Sequence, residues 1–255
     1  MRNHLKRLYE DHKGEFRMAS PFPHLVIDDF LPIKLAKDLS KSISLKNAEK
    51  DEGWVVDNNK ENNYKRFRLE DTRYMRSSLN KFASFVNSRD FVLFMEKISE
   101  NESLIVDPYF IGGGAMITET GGFLNMHIDF NWHHKLQLWR KINCIFYLTE
   151  NWNPSWGGEL YLSDSKNYDH NTKKVSPMFN RAIIFQTDGN SWHGHPYPLQ
   201  CPCEIQRRVF SVFYYSIHKN ISHNDQAHFT QYDQNNNLCE GKKIENSPYC
   251  QNLDL

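Results

Sequence analysis

The sequence predicts a mainly β protein with flanking helices: a jelly-roll core, or double-stranded β-helix, behind N-terminal supporting helices. Three observations carry this reading. From Leu104 the apolar spacing changes from helical to alternating, and seven strand-like runs follow within about a hundred residues. Gly, Pro, Asn and Asp separate those runs and supply their turns. The helical stretches all precede the strands, which suits helices laid over one outer face of an antiparallel sheet with one end left open for a ligand.

Size and charge narrow the function classes. A chain of 255 residues is long enough for one elaborated domain with a sizeable core. Lys plus Arg equals Asp plus Glu at 31 each, so no net charge draws the chain to nucleic acid or an anionic membrane, and neither is expected as a partner. The aromatic content of 14% favours a rigid core and a pocket with aromatic walls. The opening MRNHLKRLYEDHKGEF has no apolar signal region and no run reaches eighteen apolar residues, so a cytoplasmic location is expected. Of the five cysteines, Cys144 reads as a buried hydrophobe. Cys201, Cys203, Cys239 and Cys250 lack the paired knuckles of a zinc site, which predicts free thiols.

In chain order, residues 1–20 read as a charged leader. PFPHLVIDDFLP predicts a strand from His24 to Asp28, then a helix with Pro32 in its first turn and an apolar face of Leu31, Leu35, Ala36 and Leu39. Residues 45–70 are polar enough to predict a surface loop or flap, pinned at its start by Trp54 and Val55. Tyr74, Leu79, Phe82 and Phe85 mark a second helix, and DFVLFMEKISE a third, capped by Asp90. The strands are LIVDPYF, AMITE, FLNMHIDF, KINCIFYLTE, GGELYLSD, RAIIFQT and RVFSVFYYS. Residues 220–255 have no periodicity and are expected to wander over the surface. The expected division is a single domain over 21–219, helical to about 103 and jelly roll from about 104, followed by that polar tail.

The chemistry centres on GGFLNMHID. His127 and Asp129 lie two apart in a strand, hence on one face, and an aspartate between Ile128 and Phe130 needs a partner to offset its desolvation. A cation is one such partner, and the pair makes two-thirds of a two-histidine, one-carboxylate facial triad. NSWHGHPYP supplies the third member. His193 is preferred, with His195 as the competitor on the same strand parity, whereas His133 and His134 fall in a polar loop and are expected to be solvated. Further on, QRRVFSVFYY opens a strand with two arginines, of which alternation lets one point inward. An inward guanidinium needs an anion. The hydroxyl of Ser211 on the same face favours Arg207, and Arg208 reads as the solvent-facing residue of an edge strand.

The succession of His127-x-Asp129, Trp156-Gly-Gly-Glu-Leu160, Pro177-x-x-Asn180-Arg181, Trp192-His193-Gly194 and Arg207 before an aromatic strand resembles the 2-oxoglutarate- and Fe(II)-dependent oxygenases, in their prolyl 4-hydroxylase-like branch. The resemblance spans about residues 21–219. It implies that His127, Asp129 and His193 ligate Fe(II) and that Arg207 pairs with the distal carboxylate of 2-oxoglutarate. Tyr147 falls where relatives place a tyrosine on that carboxylate, and Asn143, on the strand parity of Tyr147, lines the same pocket. Two departures are Val209, where some relatives have Ser or Thr, and Arg207, where others have Lys. The glycines of the Trp-Gly-Gly motif read as turn formers without a chemical role.

The implied reaction takes O₂ and 2-oxoglutarate, with ascorbate as a candidate reductant, and hydroxylates an unactivated C–H bond with release of succinate and CO₂. The expected substrate is a prolyl residue of a peptide, a free amino acid or a related small molecule. Halogenating relatives lack the carboxylate ligand, so Asp129 makes hydroxylation the default. Two alternatives are a catalytically silent jelly-roll binding module and a zinc hydrolase using the same ligand types. Neither explains Arg207.

Overall fold

In the computed structural model, which describes residues 1–166, 171–218 and 226–233, the chain begins with a helix where a leader is expected. Helix α1 (Arg2–His12) buries Leu5 and Leu8, three residues apart on one face. After the short α2 (Glu15–Met18) come strand β1 (His24–Ile27) and helix α3 (Ile33–Ser42). The stretch expected as a loop over 45–70 instead forms α4 (Leu45–Ala48) and a hairpin of β2 (Val55–Asn59) and β3 (Asn63–Leu69). Its polar composition hid the strands, because only Arg66 and Leu69 of β3 are fully buried and one of them is a cation.

Helices α5 (Ser77–Val86) and α6 (Arg89–Ser99) follow. The cap of α6 is Ser88, whose side chain accepts from the Phe91 amide, while the expected cap, Asp90, sits in the first turn and pairs with Arg2 of α1. Strand β4 is confined to Ile105–Val106 because Asp107 turns its carboxylate to the amides of Tyr109 and Ile111. The two runs expected at 115–119 and 123–130 are one strand, β5 (Gly114–Ile128). Then come β6 (Trp132–His133), β7 (Leu138–Tyr147), β8 (Leu160–Ser163), β9 (Thr172–Val175), β10 (Ala182–Gln186), β11 (Trp192–His195), β12 (Arg207–Ser216) and β13 (Gln231–Tyr232).

The antiparallel sheet runs β1-β10-β7-β12-β5-β11-β8-β9 and rolls into a nearly closed barrel, the jelly roll expected. Strand β5 joins its two halves. Residues 114–118 pair with β12, whereas Leu124 and His127 pair with β11. Between them Gly121, at φ +77°, and Gly122 exchange hydrogen bonds with Leu199 instead of either strand.

Alternation on β12 separates core from pocket. Phe210, Val212 and Tyr214 face the helices, where Phe82 meets Phe146 and Phe210 with ring centroids 5.1 Å apart. Arg207, Val209, Ser211 and Phe213 face the barrel interior. Asn180, of the Pro177-x-x-Asn180-Arg181 motif, ties the first helical segment to this sheet by bonding both the amide and the carbonyl of Leu31.

Other sequence expectations change. His133 is buried, not solvated, because β6 folds it against Asp107 at 3.3 Å. Arg208 lies on a central strand, half-buried, donating to Ser40 O and Gln206 Oε1. The tail expected to wander includes β13, which returns to pair with β5; its remaining residues lie outside those described. Cys144 and Cys201 are free thiols, but Cys203 is disulfide-bonded, against expectation, and Cys239 and Cys250 lie outside the described residues. No described helix is long and apolar enough to cross a membrane.

Candidate metal centre and its pocket

Strands β5 and β11 bring the triad together. His193 is registered directly opposite His127, and Asp129 follows one residue beyond the end of β5. One ligand atom from each of His127, Asp129 and His193 lies within 4.8 Å of the others, the one such group among the described residues. The close approach of the strands depends on Gly194, where an added Cβ would stand 2.7 Å from the Asn125 carbonyl oxygen. The β5–β11 register shifts between this point and His195, which pairs with Leu124. His195 therefore lines the same cavity without joining the triad, with both ring nitrogens unpartnered.

The hydrogen bonds of both histidines set their tautomers. His127 Nδ1 donates to Asn125 O at 2.8 Å and His193 Nδ1 to Ser191 O at 2.9 Å, which leaves each Nε2 lone pair free. Those lone pairs face Asp129, at 3.5 Å from Oδ1 and 3.2 Å from Oδ2 respectively. Burial, then the neighbouring His193, lowers the His127 pKa and keeps its imidazole neutral. Burial raises the Asp129 carboxyl, but Arg140, then His193 and His127, outweigh it and hold the group well below the usual carboxylate range. Three acceptors thus converge, two on buried histidines and one on the partly exposed Asp129, an arrangement that suits a divalent cation with two imidazole nitrogens and one carboxylate.

Arg140 is a pocket residue that the sequence pattern does not reveal. Alternation along KINCIFYL puts it with Ile142 on the core face. The β7–β12 register, however, skips Lys141, pairing Arg140 with Tyr215 and Ile142 with Tyr214, and this bulge turns Arg140 into the pocket. Its Nη2 lies 2.9 Å from Asp129 Oδ2, an ion pair without the alignment of a hydrogen bond, and its guanidinium lies over Phe213. The only available signal was a cation beside an apolar strand, too common to single out.

The other expected site residues sit on the same wall. Asn143 Nδ2 donates to Asp129 Oδ2 at 3.4 Å, and Ser211 Oγ donates to Asn143 Oδ1 at 3.2 Å, so both brace the carboxylate. Arg207 is buried, its Nε bonded to Gly158 O at 2.9 Å and its guanidinium over the Tyr147 ring, close enough to act on the Tyr147 hydroxyl. Gly158 therefore has a role beyond turn formation. At φ +77° it presents its carbonyl, and an added Cβ would come 2.7 Å from Leu199 and 3.2 Å from the Arg207 stem. Opposite, Tyr232 of β13 packs its ring 5.5 Å from that of His127. Arg66 of β3 completes the interior, buried and, among the described residues, without an acidic partner at ion-pair distance.

Comparison with known proteins follows the same lines. Residues 113–215 match the model of the 2OG-Fe(II) oxygenase superfamily. No curated protein matches the sequence. Among solved structures, a Pseudomonas putida prolyl-4-hydroxylase aligns with a TM-score of 0.55 at 14% identity, over 85% of this chain and 99% of that one. A Trichoplax adhaerens prolyl hydroxylase in complex with a hypoxia inducible factor peptide fragment aligns at 0.54 and 16%, over 84% and 89%. HygX from Streptomyces hygroscopicus, with nickel, 2-oxoglutarate and hygromycin B bound, aligns at 0.53 and 11%, over 89% and 96%. At these identities the likeness establishes a shared fold. Over residues 113–215, which include His127, Asp129, His193 and Arg207, the sequence is similar to the 2OG-Fe(II) oxygenase superfamily.

Proposed function

We propose that the protein is an Fe(II)- and 2-oxoglutarate-dependent dioxygenase that hydroxylates a C–H bond of a prolyl residue, a free amino acid or a related small molecule. One observation carries the reading. Three converging acceptors, His127, Asp129 and His193, share a cavity with Arg207, a buried guanidinium that makes no ion pair with a carboxylate among the described residues. A silent module has no use for that cation, and a zinc hydrolase would leave it unpaired.

In this reading the two Nε2 atoms and one Asp129 oxygen hold Fe(II), which, with 2-oxoglutarate bound, supplies the activation of O₂. The chain's own residues provide the rest. The carbonyls of Asn125 and Ser191 fix the ring orientations of the histidines. Arg140 and Asn143 hold the second Asp129 oxygen, so the carboxylate is ionised and aimed before metal arrives. Arg207, braced by Gly158, would receive the distal carboxylate of 2-oxoglutarate, with the Tyr147 hydroxyl beside the guanidinium as a further donor. Leu160, Val209 and Phe213 line the cavity and limit water around the reacting atoms.

The test is optical. Anaerobic protein with Fe(II) and 2-oxoglutarate is expected to show a weak metal-to-ligand charge-transfer band in the visible region that His127→Ala abolishes. A wild-type protein without the band, or a variant that keeps it, would overturn the proposal.

A further inference from the structure

The cavity contains one guanidinium more than this chemistry uses. Arg66 on β3 stands opposite Thr118 of β5, and Thr118 stands opposite Arg207 of β12, so the two arginines occupy one register row across three strands. Directly opposed residues project to the same face, and strand spacing puts their backbones about 10 Å apart. Both side chains line the cavity, Arg66 with 9% of its surface exposed and Arg207 with 5%. Arg140 is neutralised by Asp129, and Arg68, at the rim, by Asp57 and Glu70. Arg66 has no such partner among the described residues. Its Nε is unbonded and its Nη2 reaches only the sulfur of Met116, at 3.5 Å, while Asp57, the nearest source of negative charge, is engaged by Arg68.

A cosubstrate whose first carboxylate goes to the metal has one carboxylate left, and it neutralises one buried arginine. Two observations assign it to Arg207. That guanidinium is fixed by Gly158 and lies against Tyr147, whereas Arg66 lies among the partly exposed Asp57, Asn63, Thr230 and Tyr232, toward the more open part of the cavity. A buried cation left unpaired is costly, so a second anion is expected in the assembled complex. We infer that the substrate to be oxidised carries its own oxyanion, a carboxylate or a phosphate, that pairs with Arg66, and that Arg66 determines specificity for it. This inference rests on the oxygenase reading of the site.

The experiment uses the full chain, held anaerobically with Fe(II) and 2-oxoglutarate, and follows the charge-transfer band and the heat of binding as probes are added. The probes are glutarate, glutamate, inorganic phosphate and a glutamate-containing peptide, each acid matched with its neutral amide counterpart. At least one anion is expected to bind saturably, its amide far more weakly. Arg66→Gln should weaken that binding by roughly 100- to 4,000-fold, the loss expected when a buried charge pair is broken, with Arg66→Lys intermediate. The 2-oxoglutarate affinity of Arg66→Gln should stay near wild type, unlike that of Arg207→Gln. Which probe binds separates a small acid from an acidic peptide side chain and a carboxylate from a phosphate. Amides binding as well as acids, no anion binding at millimolar concentration, or Arg66→Gln weakening 2-oxoglutarate as much as Arg207→Gln would each overturn the inference. A wild type that forms no metal–2-oxoglutarate band fails before any probe is added, which marks failure of the oxygenase reading itself. Should Arg66→Gln not fold, the acid–amide comparison in wild type and Arg66→Lys still decides.

Discussion

Arg140 Nη2 lies 2.9 Å from Asp129 Oδ2, so the one carboxylate of the candidate metal centre is paired with a buried cation before any metal binds. The pair preorganises Asp129 but also competes for it, since both partners of the carboxylate draw on the same charge. Losing the brace outweighs losing the competitor, so Arg140→Met should weaken metal affinity by about 10- to 100-fold, the range for loss of an outer-shell partner. Titration of the apoprotein with Co(II), followed by its absorption, measures this. Unchanged affinity would mean that Asn143 suffices to orient the carboxylate.

Arg207→Ala should raise the 2-oxoglutarate requirement strongly, with a loss of roughly 3–5 kcal/mol, as when one member of a buried ion pair is removed. Arg208→Ala should cost far less binding energy, because that guanidinium bonds Ser40 O and Gln206 Oε1 away from the cavity. Calorimetry of 2-oxoglutarate binding to the metal-loaded variants ranks the two, and the opposite ranking would refute the assigned strand face.

His193→Ala should abolish tight metal binding, whereas His195→Ala should retain it, because His195 pairs with Leu124 across a register shift and stays outside the triad. Gly194→Ala, between them, should weaken metal binding without removing a ligand, since its Cβ would press on the Asn125 carbonyl from 2.7 Å and force β11 off β5. Metal content after dialysis distinguishes all three variants.

The acid limb of stability has a contribution from His24. Burial lowers its pKa below the usual 6.5, although Nδ1 donates to Phe22 O. The unfolded chain takes up this proton first as pH falls. The contribution is therefore complete above about pH 6.5 and is lost through the ordinary histidine range down to the folded value, at no more than ~1.4 kcal/mol per pH unit. Unfolding curves of His24→Gln between neutral pH and pH 5 should be flatter than those of the wild type. Parallel curves would show that His24 protonates alike in both states.

Local patterns made much of the barrel and its triad legible. Alternation on β12 separates Phe210, Val212 and Tyr214 from Arg207, Val209 and Ser211 in sequence as in space, because that stretch of strand is regular from Arg207 to Tyr214. The spacing of His127 and Asp129 survived for a related reason: both lie past the Gly121-Gly122 interruption, where β5 has already changed partners. Irregular pairing was less readable. The skipped Lys141 reverses the face of Arg140, and no residue type marks a bulge of that kind. Arg66 was hidden in a segment whose polarity imitates a loop, although its charge points inward.

By itself, then, the sequence determined the class of fold, the strand that carries His127 and leads into Asp129, and the face of Arg207, all consequences of periodicity within single strands. Only the tertiary structure decided which later histidine meets them, that Arg140 pairs with Asp129, and that Arg66 is left facing the cavity without a partner. Those relationships are set by register between strands distant in sequence, and register depends on bulges and glycine contacts that emerge when the sheet closes.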